Sequence, residues 1–137
     1  MKKVAFTFLI LVVAFVGMAH SWAVNSKPSG KLSSTIAVFH WSSTTIDFGK
    51  IPVGKPVTHQ FTFTNEGNVP LVISSVQASC GCTVAEYSKE PIAPGGQGFV
   101  KATYNAAKAG VFTKTVSVNA NTEEGVVQLF IKGEVVE

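Results

Sequence analysis

PVTHQFTFTN, residues 56–65, alternates apolar and polar side chains along most of its length. One face of the segment carries Val57, His59, Phe61 and Phe63, and the opposite face carries Thr58, Gln60, Thr62 and Thr64. Successive side chains of a β-strand point to opposite faces, so a period of two predicts a strand with one buried face. The threonines and phenylalanines also suit a pleated surface. We therefore predict a strand whose apolar face covers a hydrophobic core.

The same pattern continues to the end of the chain. VVQLFIKGEV, residues 126–135, places four apolar residues opposite polar ones, namely Val127, Leu129, Ile131 and Val135. GFVKATYN (98–105) and FTKTVSVN (112–119) are rich in β-branched and aromatic residues. Turn signals separate these segments at NEGNVP (65–70), APGGQG (93–98) and NTEEG (121–125). The expected fold is all-β, an immunoglobulin-like β-sandwich of about seven strands.

The N-terminal segment has the composition of a secretory signal peptide. Lys2 and Lys3 precede a run of mostly apolar residues at 4–19, and small residues follow at Ser21 and Ala23. The apolar run is shorter than the roughly 20 residues that span a bilayer comfortably. We expect residues 1–23 to be removed, 24–34 to form a flexible spacer and 35–137 to form the sandwich domain. The mature chain would have no membrane span and would be periplasmic or secreted.

Charge makes nucleic acid an unsuitable partner. The mature chain would carry nine lysines against eight acids, a net charge of +1, because Lys2 and Lys3 leave with the signal. The sequence has no arginine, the side chain best suited to bidentate recognition of phosphates and bases. We therefore expect no nucleic-acid binding.

Two stretches imitate enzyme motifs without their context. GKIPVGKP, residues 49–56, has the spacing of a phosphate-binding loop, but Pro56 replaces the hydroxyl residue that holds Mg²⁺. A predicted strand follows it, whereas that loop requires a helix. The triplet DFG at 47–49 lacks the other residues of a kinase. Both stretches are interpreted as turns, and we expect no enzymatic activity.

Cys80 and Cys82 are the only cysteines of the chain, with Gly81 between them. Three states are open to them: a disulfide, a free dithiol or a soft-metal chelate. An extended Cys-x-Cys holds its Cα atoms about 7 Å apart, near the upper limit for a disulfide. We expect Gly81 to allow closure by adopting positive φ, and a bulkier residue there to resist it. The three-residue ring would contribute only about 1.6 kcal/mol of stability.

A metal site would need further ligands. Zinc takes four, and only His40 and His59 could join the two sulfurs. Copper(I) could accept Cys80 and Cys82 with His59, but both methionines, Met1 and Met18, lie in the predicted signal. We expect no metal and no cofactor, with copper as the alternative. The favoured interpretation of His59 is a histidine that is hydrogen-bonded on a largely apolar strand face.

The turn NEGNVP is predicted to connect two strands tightly. Asn65, Gly67 and Asn68 are residue types that adopt unusual backbone angles, and we expect Gly67 in particular to have positive φ. Pro70 stops one strand before Leu71 begins the next.

Three motifs resemble a bacterial family of secreted domains of unknown function, DUF1573, which is common in Bacteroidetes envelope proteins. They are D-F-G-x-I-x-x-G at 47–54, N-x-G-x-x-P-L-x-I at 65–73 and S-C-G-C-T at 79–83. Among the residues that match are Asp47, Phe48, Gly49, Gly54, Asn65, Gly67, Pro70, Leu71, Ser79, Cys80, Gly81, Cys82 and Thr83. Such domains are similar to the Hydin-like ASH immunoglobulin folds, which are interaction modules. The resemblance implies a sandwich but supplies no activity.

The sequence thus favours a non-enzymatic interaction or structural module whose partner is another envelope protein. Edge strands of such sandwiches can accept a strand from a partner. The alternative is a redox or copper-handling protein that acts through Cys80 and Cys82.

Overall fold

A computed structural model describes residues 35–137 of the chain, so the predicted signal peptide and the predicted spacer both lie outside the described residues. The regular elements of this part are eight β-strands. They are β1 (Phe39–Trp41), β2 (Thr45–Pro52), β3 (Val57–Asn65), β4 (Ile73–Ala78), β5 (Thr83–Tyr87), β6 (Gln97–Tyr104), β7 (Gly110–Ala120) and β8 (Val126–Val136).

The strands form two four-stranded sheets, ordered β1-β3-β6-β5 and β2-β8-β7-β4. All neighbouring strands are antiparallel except β2 and β8, which are parallel. The prediction of an all-β sandwich is confirmed. The count is eight strands rather than about seven, because the chain forms a separate three-residue strand, β1, in one sheet before it enters β2 in the other. Within residues 35–137 no helix has the length and hydropathy needed to cross a bilayer.

The inner faces of the two sheets share one hydrophobic core. The alternation predicted for β3 is confirmed, since Phe61 and Phe63 are 1% and 2% exposed while Thr58 and Gln60 face solvent. The other fully buried side chains come from both sheets and from the loop before β4, and include Leu71, Val100, Val116, Val118, Leu129 and Ile131. Burying a side chain of this size stabilises the fold by roughly 1.5–3 kcal/mol.

Trp41 closes one side of the core. Its ring centroid lies 4.8 Å from that of Phe39 and 4.9 Å from that of Phe63. Aromatic pairs at such distances add about 0.5–1.5 kcal/mol to the burial of their surfaces. The tryptophan of this edge strand therefore has a packing role.

Candidate functional site

Asp47, Phe48 and Gly49 form a bulge in β2. The pairing of β2 with β8 shifts between Asp47 and Lys50. The Asp47 side chain accepts a hydrogen bond of 2.8 Å from the Gly49 N–H, and Gly49 has a φ of 64°. Because a bulge inserts one residue, Phe48 and Ile51 both face inward although three positions separate them. The D-F-G triplet thus sets the register of an edge strand.

Gly54 lies in the turn between β2 and β3. It has a φ of 74°, which favours glycine, and its N–H donates to the Ala106 carbonyl at 2.8 Å. The Lys55 N–H donates to the Pro52 carbonyl at 3.3 Å. Residues 49–56 therefore comprise the end of β2 and a turn that β3 follows, and no helix N-terminus lies here to bind a phosphate. The prediction of a turn is wrong for residues 47–52, which belong to β2 because the bulge lets the strand continue.

Asn65 is the hydrogen-bonding centre of the second motif. It is fully buried, and its side-chain NH₂ group donates to the carbonyls of Val69 at 2.8 Å and Ile92 at 2.9 Å. Its side-chain oxygen accepts from the N–H groups of Gly67 at 2.9 Å and Val38 at 3.3 Å. One side chain thus joins three segments of the chain and satisfies backbone groups that burial would otherwise leave unpaired.

The prediction that Gly67 has positive φ is wrong. Its φ lies outside the left-handed region, and neither Asn65 nor Asn68 has positive φ. Gly67 is instead required by close packing, because a Cβ atom there would lie 2.2 Å from the Ile36 carbonyl oxygen and 2.7 Å from the Ala37 Cα. The turn needs a residue without a side chain rather than a residue with unusual angles.

Pro70 and Leu71 carry the chain toward β4. Leu71 is fully buried and exchanges two backbone hydrogen bonds of 2.8 Å with Ile92. Asn121 supports this segment, since its NH₂ group donates to the Pro70 carbonyl at 3.0 Å and its side-chain oxygen accepts from the Val72 N–H at 2.7 Å. The second motif is therefore structural, and it fixes where β4 begins.

Cys80 and Cys82 are joined by a disulfide in the turn between β4 and β5, with their Cα atoms 5.3 Å apart. The Thr83 N–H donates to the Cys80 carbonyl at 3.3 Å, which closes the turn around the ring. Thr83 is buried, and its hydroxyl lies 3.9 Å from the Cys80 sulfur. Both cysteines are partly exposed, so solvent reaches the ring.

Hydrogen bonds hold the ring on both sides. Before it, the Ser79 N–H donates to the Thr115 carbonyl at 2.8 Å, and the Thr115 N–H donates back to the Ser79 hydroxyl at 3.1 Å. After it, the Asn105 N–H donates to the Cys82 carbonyl at 3.0 Å. The ring is therefore seated on β7 on one side and on the end of β6 on the other.

The predicted role of Gly81 is also wrong. Gly81 does not adopt positive φ, and a Cβ atom built there meets no other atom within 4 Å. The ring closes because the whole 80–83 segment turns, which brings the Cα atoms nearer than an extended chain would. A small side chain at position 81 would point into open space.

The two cysteines face different surroundings. Cys80 lines a shallow groove between β4 and β5, together with Val76, Gln77, Ala78, Gly81, Thr83, Val84 and Ala85. Cys82 packs against the core and lines a separate hollow with Tyr104, Asn105, Ala107, Lys108 and Lys114. Neither depression has an Asp or Glu among its lining residues, and the hollow at Cys82 has two lysines.

His59 does not join the sulfurs. Its ring centroid lies 4.7 Å from that of Phe61 and 6.5 Å from that of Phe48, both in edge-to-face geometry. Burial lowers the pKa of His59 because it penalises the charged form. No group of three His, Cys, Asp or Glu side chains in residues 35–137 is placed to hold a metal ion, so the candidate copper ligands Cys80, Cys82 and His59 are not brought together.

Several residues of these sites gave no signal in the sequence. Asn121, Lys108 and Lys114 reach the motifs only because strand pairing brings distant segments together. A side chain that acts across sheets has no fixed spacing from its target along the chain. An alternating strand, in contrast, is visible within a few residues.

The chain matches known proteins by family and by fold. A family model described as "Protein of unknown function (DUF1573)" matches residues 39–135. None of the curated proteins matches. A protein of unknown function from Porphyromonas gingivalis is similar in structure, with a TM-score of 0.66 and 20% identity over 75% of this chain and 49% of that one. This chain therefore spans about half the length of that protein.

Two further solved structures have the same fold. The ASH/PapD-like domain 7 of human CEP192 has a TM-score of 0.61 and 13% identity, over 81% of this chain and 92% of that domain. The YadV chaperone has a TM-score of 0.54 and 14% identity, over 72% of this chain and 52% of that one. Immunoglobulin-like folds of this kind are typical of protein-interaction domains. With the family model spanning nearly all of its sandwich, the chain belongs to the DUF1573 family.

Proposed function

We propose that the domain is a non-enzymatic interaction module of the cell envelope that binds an extended segment of another envelope protein along β5. The observation that carries this proposal is that β5 is an open sheet edge with an exposed apolar side chain. Its one strand neighbour is β6, and Val84 on this strand is 63% exposed. An edge of this kind is a template for strand addition.

The other three edges are less suitable. The edge strand β2 contains the bulge at Asp47 to Lys50 and ends in Pro52. A register shift between Ile73 and Ser75 interrupts β4. The remaining edge, β1, is three residues long. Bulges, prolines and short lengths are the devices by which natural sheets protect their edges, and β5 has none of them.

The backbone of β5 offers its hydrogen bonds in a defined register. Cys82 and Ser88, just outside the two ends of β5, bond to β6 through Asn105 and Phe99 respectively. In an antiparallel pair, alternate residues hydrogen-bond to the neighbouring strand. The even-numbered residues from 82 to 88 therefore bond to β6, and the odd-numbered residues between them do not. Ala85 and Tyr87 consequently direct their N–H and C=O groups away from β6, where an added strand would lie.

Side chains on both faces of this edge favour an apolar partner segment. Val84 projects on the solvent face of the sheet, and Ala85 lies on the inner side. The groove between β5 and β4 is further lined by Val76 and Ala78. An added strand would place alternate side chains beside Val84 and in this groove, so we expect small apolar residues at both sets of positions.

Location in the envelope rests on the predicted signal peptide at residues 1–23. An exported domain meets other exported proteins, and an interaction module without enzymatic activity acts through such contacts. The fold shared with an ASH/PapD-like domain and with a chaperone supports the choice of an interaction module.

Site-specific photo-crosslinking in intact cells tests this function. The full chain would carry a photo-reactive amino acid at Val84 or, as the matched control, at Val111, an exposed valine on β7 in the other sheet. We expect one discrete crosslinked species from position 84 and none from position 111. Cell fractionation locates that species, and we expect it outside the cytoplasm.

The variant Ala85→Pro separates strand addition from other binding. Proline removes only the outward N–H of β5, so the pairing with β6 and the fold should survive. We expect it to abolish the crosslink from position 84 with a melting temperature that stays within a few degrees of the parent. Equal crosslinking from both positions, or a crosslink that Ala85→Pro leaves intact in a folded protein, would contradict the proposed function.

A further inference from the structure

We propose that the Cys80–Cys82 disulfide is a thiol–disulfide exchange site that oxidises a dithiol, with the Cys80 sulfur as the atom attacked and Cys82 as the leaving thiolate. The inference stands on the surroundings of the two sulfurs. It shares the groove between β4 and β5 with the proposed strand binding, but its tests use the free protein and need no bound strand.

The ring contributes little as a staple. It closes a loop of three residues, for which chain entropy gives about 1.6 kcal/mol. The backbone hydrogen bonds of Ser79 and Asn105 already hold the segments before and after the ring. A bond with so small a structural contribution, partly exposed to solvent, is of the class that exchanges readily with thiols.

Access distinguishes the two sulfurs. An attacking thiolate must approach in line with the bond that it breaks, and the attacked sulfur must therefore face an open path. Cys80 borders the shallow, open groove between β4 and β5, which is lined by uncharged side chains. Cys82 packs against the core and lines the smaller and more enclosed of the two depressions. The open path leads to Cys80.

Two lysines lie in the hollow of Cys82, the proposed leaving thiolate. Cys82 shares its hollow with Lys108, on the loop after β6, and Lys114, on β7. Neither lysine takes part in a salt bridge within residues 35–137, and Tyr104 is the other titratable group in the hollow. Neighbouring cations stabilise a thiolate and lower the pKa of its thiol, and a thiol of lower pKa leaves faster.

The exchange is balanced within the two reactants. The first thiolate of the substrate attacks the Cys80 sulfur, the bond between Cys80 and Cys82 breaks, and its electron pair leaves on the Cys82 sulfur as a thiolate. The second substrate thiol loses its proton to that thiolate and attacks the sulfur that is bound to Cys80. This releases the substrate as a disulfide and Cys80 as a thiolate, which takes the proton given up by the first substrate thiol. Two electrons and two protons pass from the dithiol to the cysteine pair.

Mapping the mixed disulfide tests which sulfur is attacked. The oxidised full-length exported protein would be mixed with glutathione, quenched with acid, alkylated and analysed by peptide mass spectrometry. We expect glutathione on Cys80 and the alkyl group on Cys82 in the large majority of adducts. Equal labelling, a preference for Cys82, or no adduct at millimolar glutathione would overturn the proposal.

Replacing the lysines tests the leaving-group assignment. In Lys108→Gln with Lys114→Gln, the rate at which dithiothreitol reduces the protein should fall, on the order of threefold to tenfold. The pKa of the Cys82 thiol, measured from the pH dependence of alkylation of the reduced protein, should rise. Lys132→Gln, a lysine on β8 paired with Asp47, is the matched control and should change neither. An unchanged reduction rate and an unchanged Cys82 pKa in the double variant would overturn the assignment of Cys82 as a leaving thiolate stabilised by the two lysines.

Discussion

The side chain of Asn65 donates a hydrogen bond of 2.9 Å to the carbonyl of Ile92, and the two residues are 27 positions apart in the chain. The bond runs from the end of β3 to the loop before β6. It is one of four that the buried side chain makes, and it links the turn after β3 to a segment that pairs with Leu71. The Asn65 side chain therefore holds together the loops and strand ends at one end of the sandwich.

Asn65→Ala should be among the most destabilising single substitutions in the domain. It removes the partner of the Val69 carbonyl and of the N–H groups of Val38 and Gly67, all partly buried, and each unsatisfied group costs about 1–3 kcal/mol. We expect the free energy of unfolding to fall by roughly 3–5 kcal/mol. Chemical denaturation measures it, with Asn105→Ala as control, because the exposed Asn105 makes one local bond to Ala107. A loss of unfolding free energy for Asn65→Ala no larger than that of the control would contradict this stabilising role of the Asn65 side chain.

Two glycine substitutions separate crowding from backbone freedom. Gly67→Ala places a Cβ atom 2.2 Å from the Ile36 carbonyl oxygen, so the turn must shift, at a cost of about 1–3 kcal/mol. Gly81→Ala places its Cβ atom in open space and should change stability by less than about 0.5 kcal/mol. Melting curves of both variants provide the comparison. Equal stabilities of the two variants would show that the turn after β3 can accommodate a Cβ atom at position 67, contrary to the structure.

Removing both sulfurs should leave the domain folded. Cys80→Ser combined with Cys82→Ser eliminates a ring whose entropic contribution is about 1.6 kcal/mol, so the stability loss should not exceed about 2 kcal/mol. The double variant should still be exported. Denaturation of the purified variant and its recovery from the envelope fraction check both statements. An unfolded double variant would mean that the disulfide, and not the hydrogen bonds beside it, holds the turn between β4 and β5 in place.

Protonation of His59 should destabilise the fold in mild acid. Burial holds its folded-state pKa below the ordinary value of 6.5, so the unfolded chain binds the proton more readily. The stabilising contribution is complete above pH 6.5 and is lost as the pH falls through the lower folded-state pKa. Unfolding free energies measured from pH 7.5 to pH 5 should therefore decline, and less steeply in His59→Phe. An equally steep decline in His59→Phe would contradict this role of His59.

Local patterns predicted the fold well. The alternation around Phe61 is a property of neighbouring residues, and it identified a buried strand without any knowledge of its partners. Pairing of the strands determines what surrounds each motif, and here the sequence was less informative. The expectations for Gly67 and Gly81 failed because crowding by Ile36 and the turn at 80–83 arise from tertiary packing, which residue type alone does not encode. Lys108 and Lys114, which share a hollow with Cys82, gave no sequence signal for the same reason.

Amide hydrogen exchange of β5 in the partner-bound protein detects strand addition at this edge. The exchange rates of Ala85 and Tyr87, whose N–H groups point away from β6, would be compared with and without the partner isolated by crosslinking. Trp41, on the edge strand β1 of the same sheet, serves as the internal control. We expect strong protection of Ala85 and Tyr87 on binding and no change at Trp41. Unchanged exchange at Ala85 and Tyr87 in a saturated complex would contradict strand addition at β5.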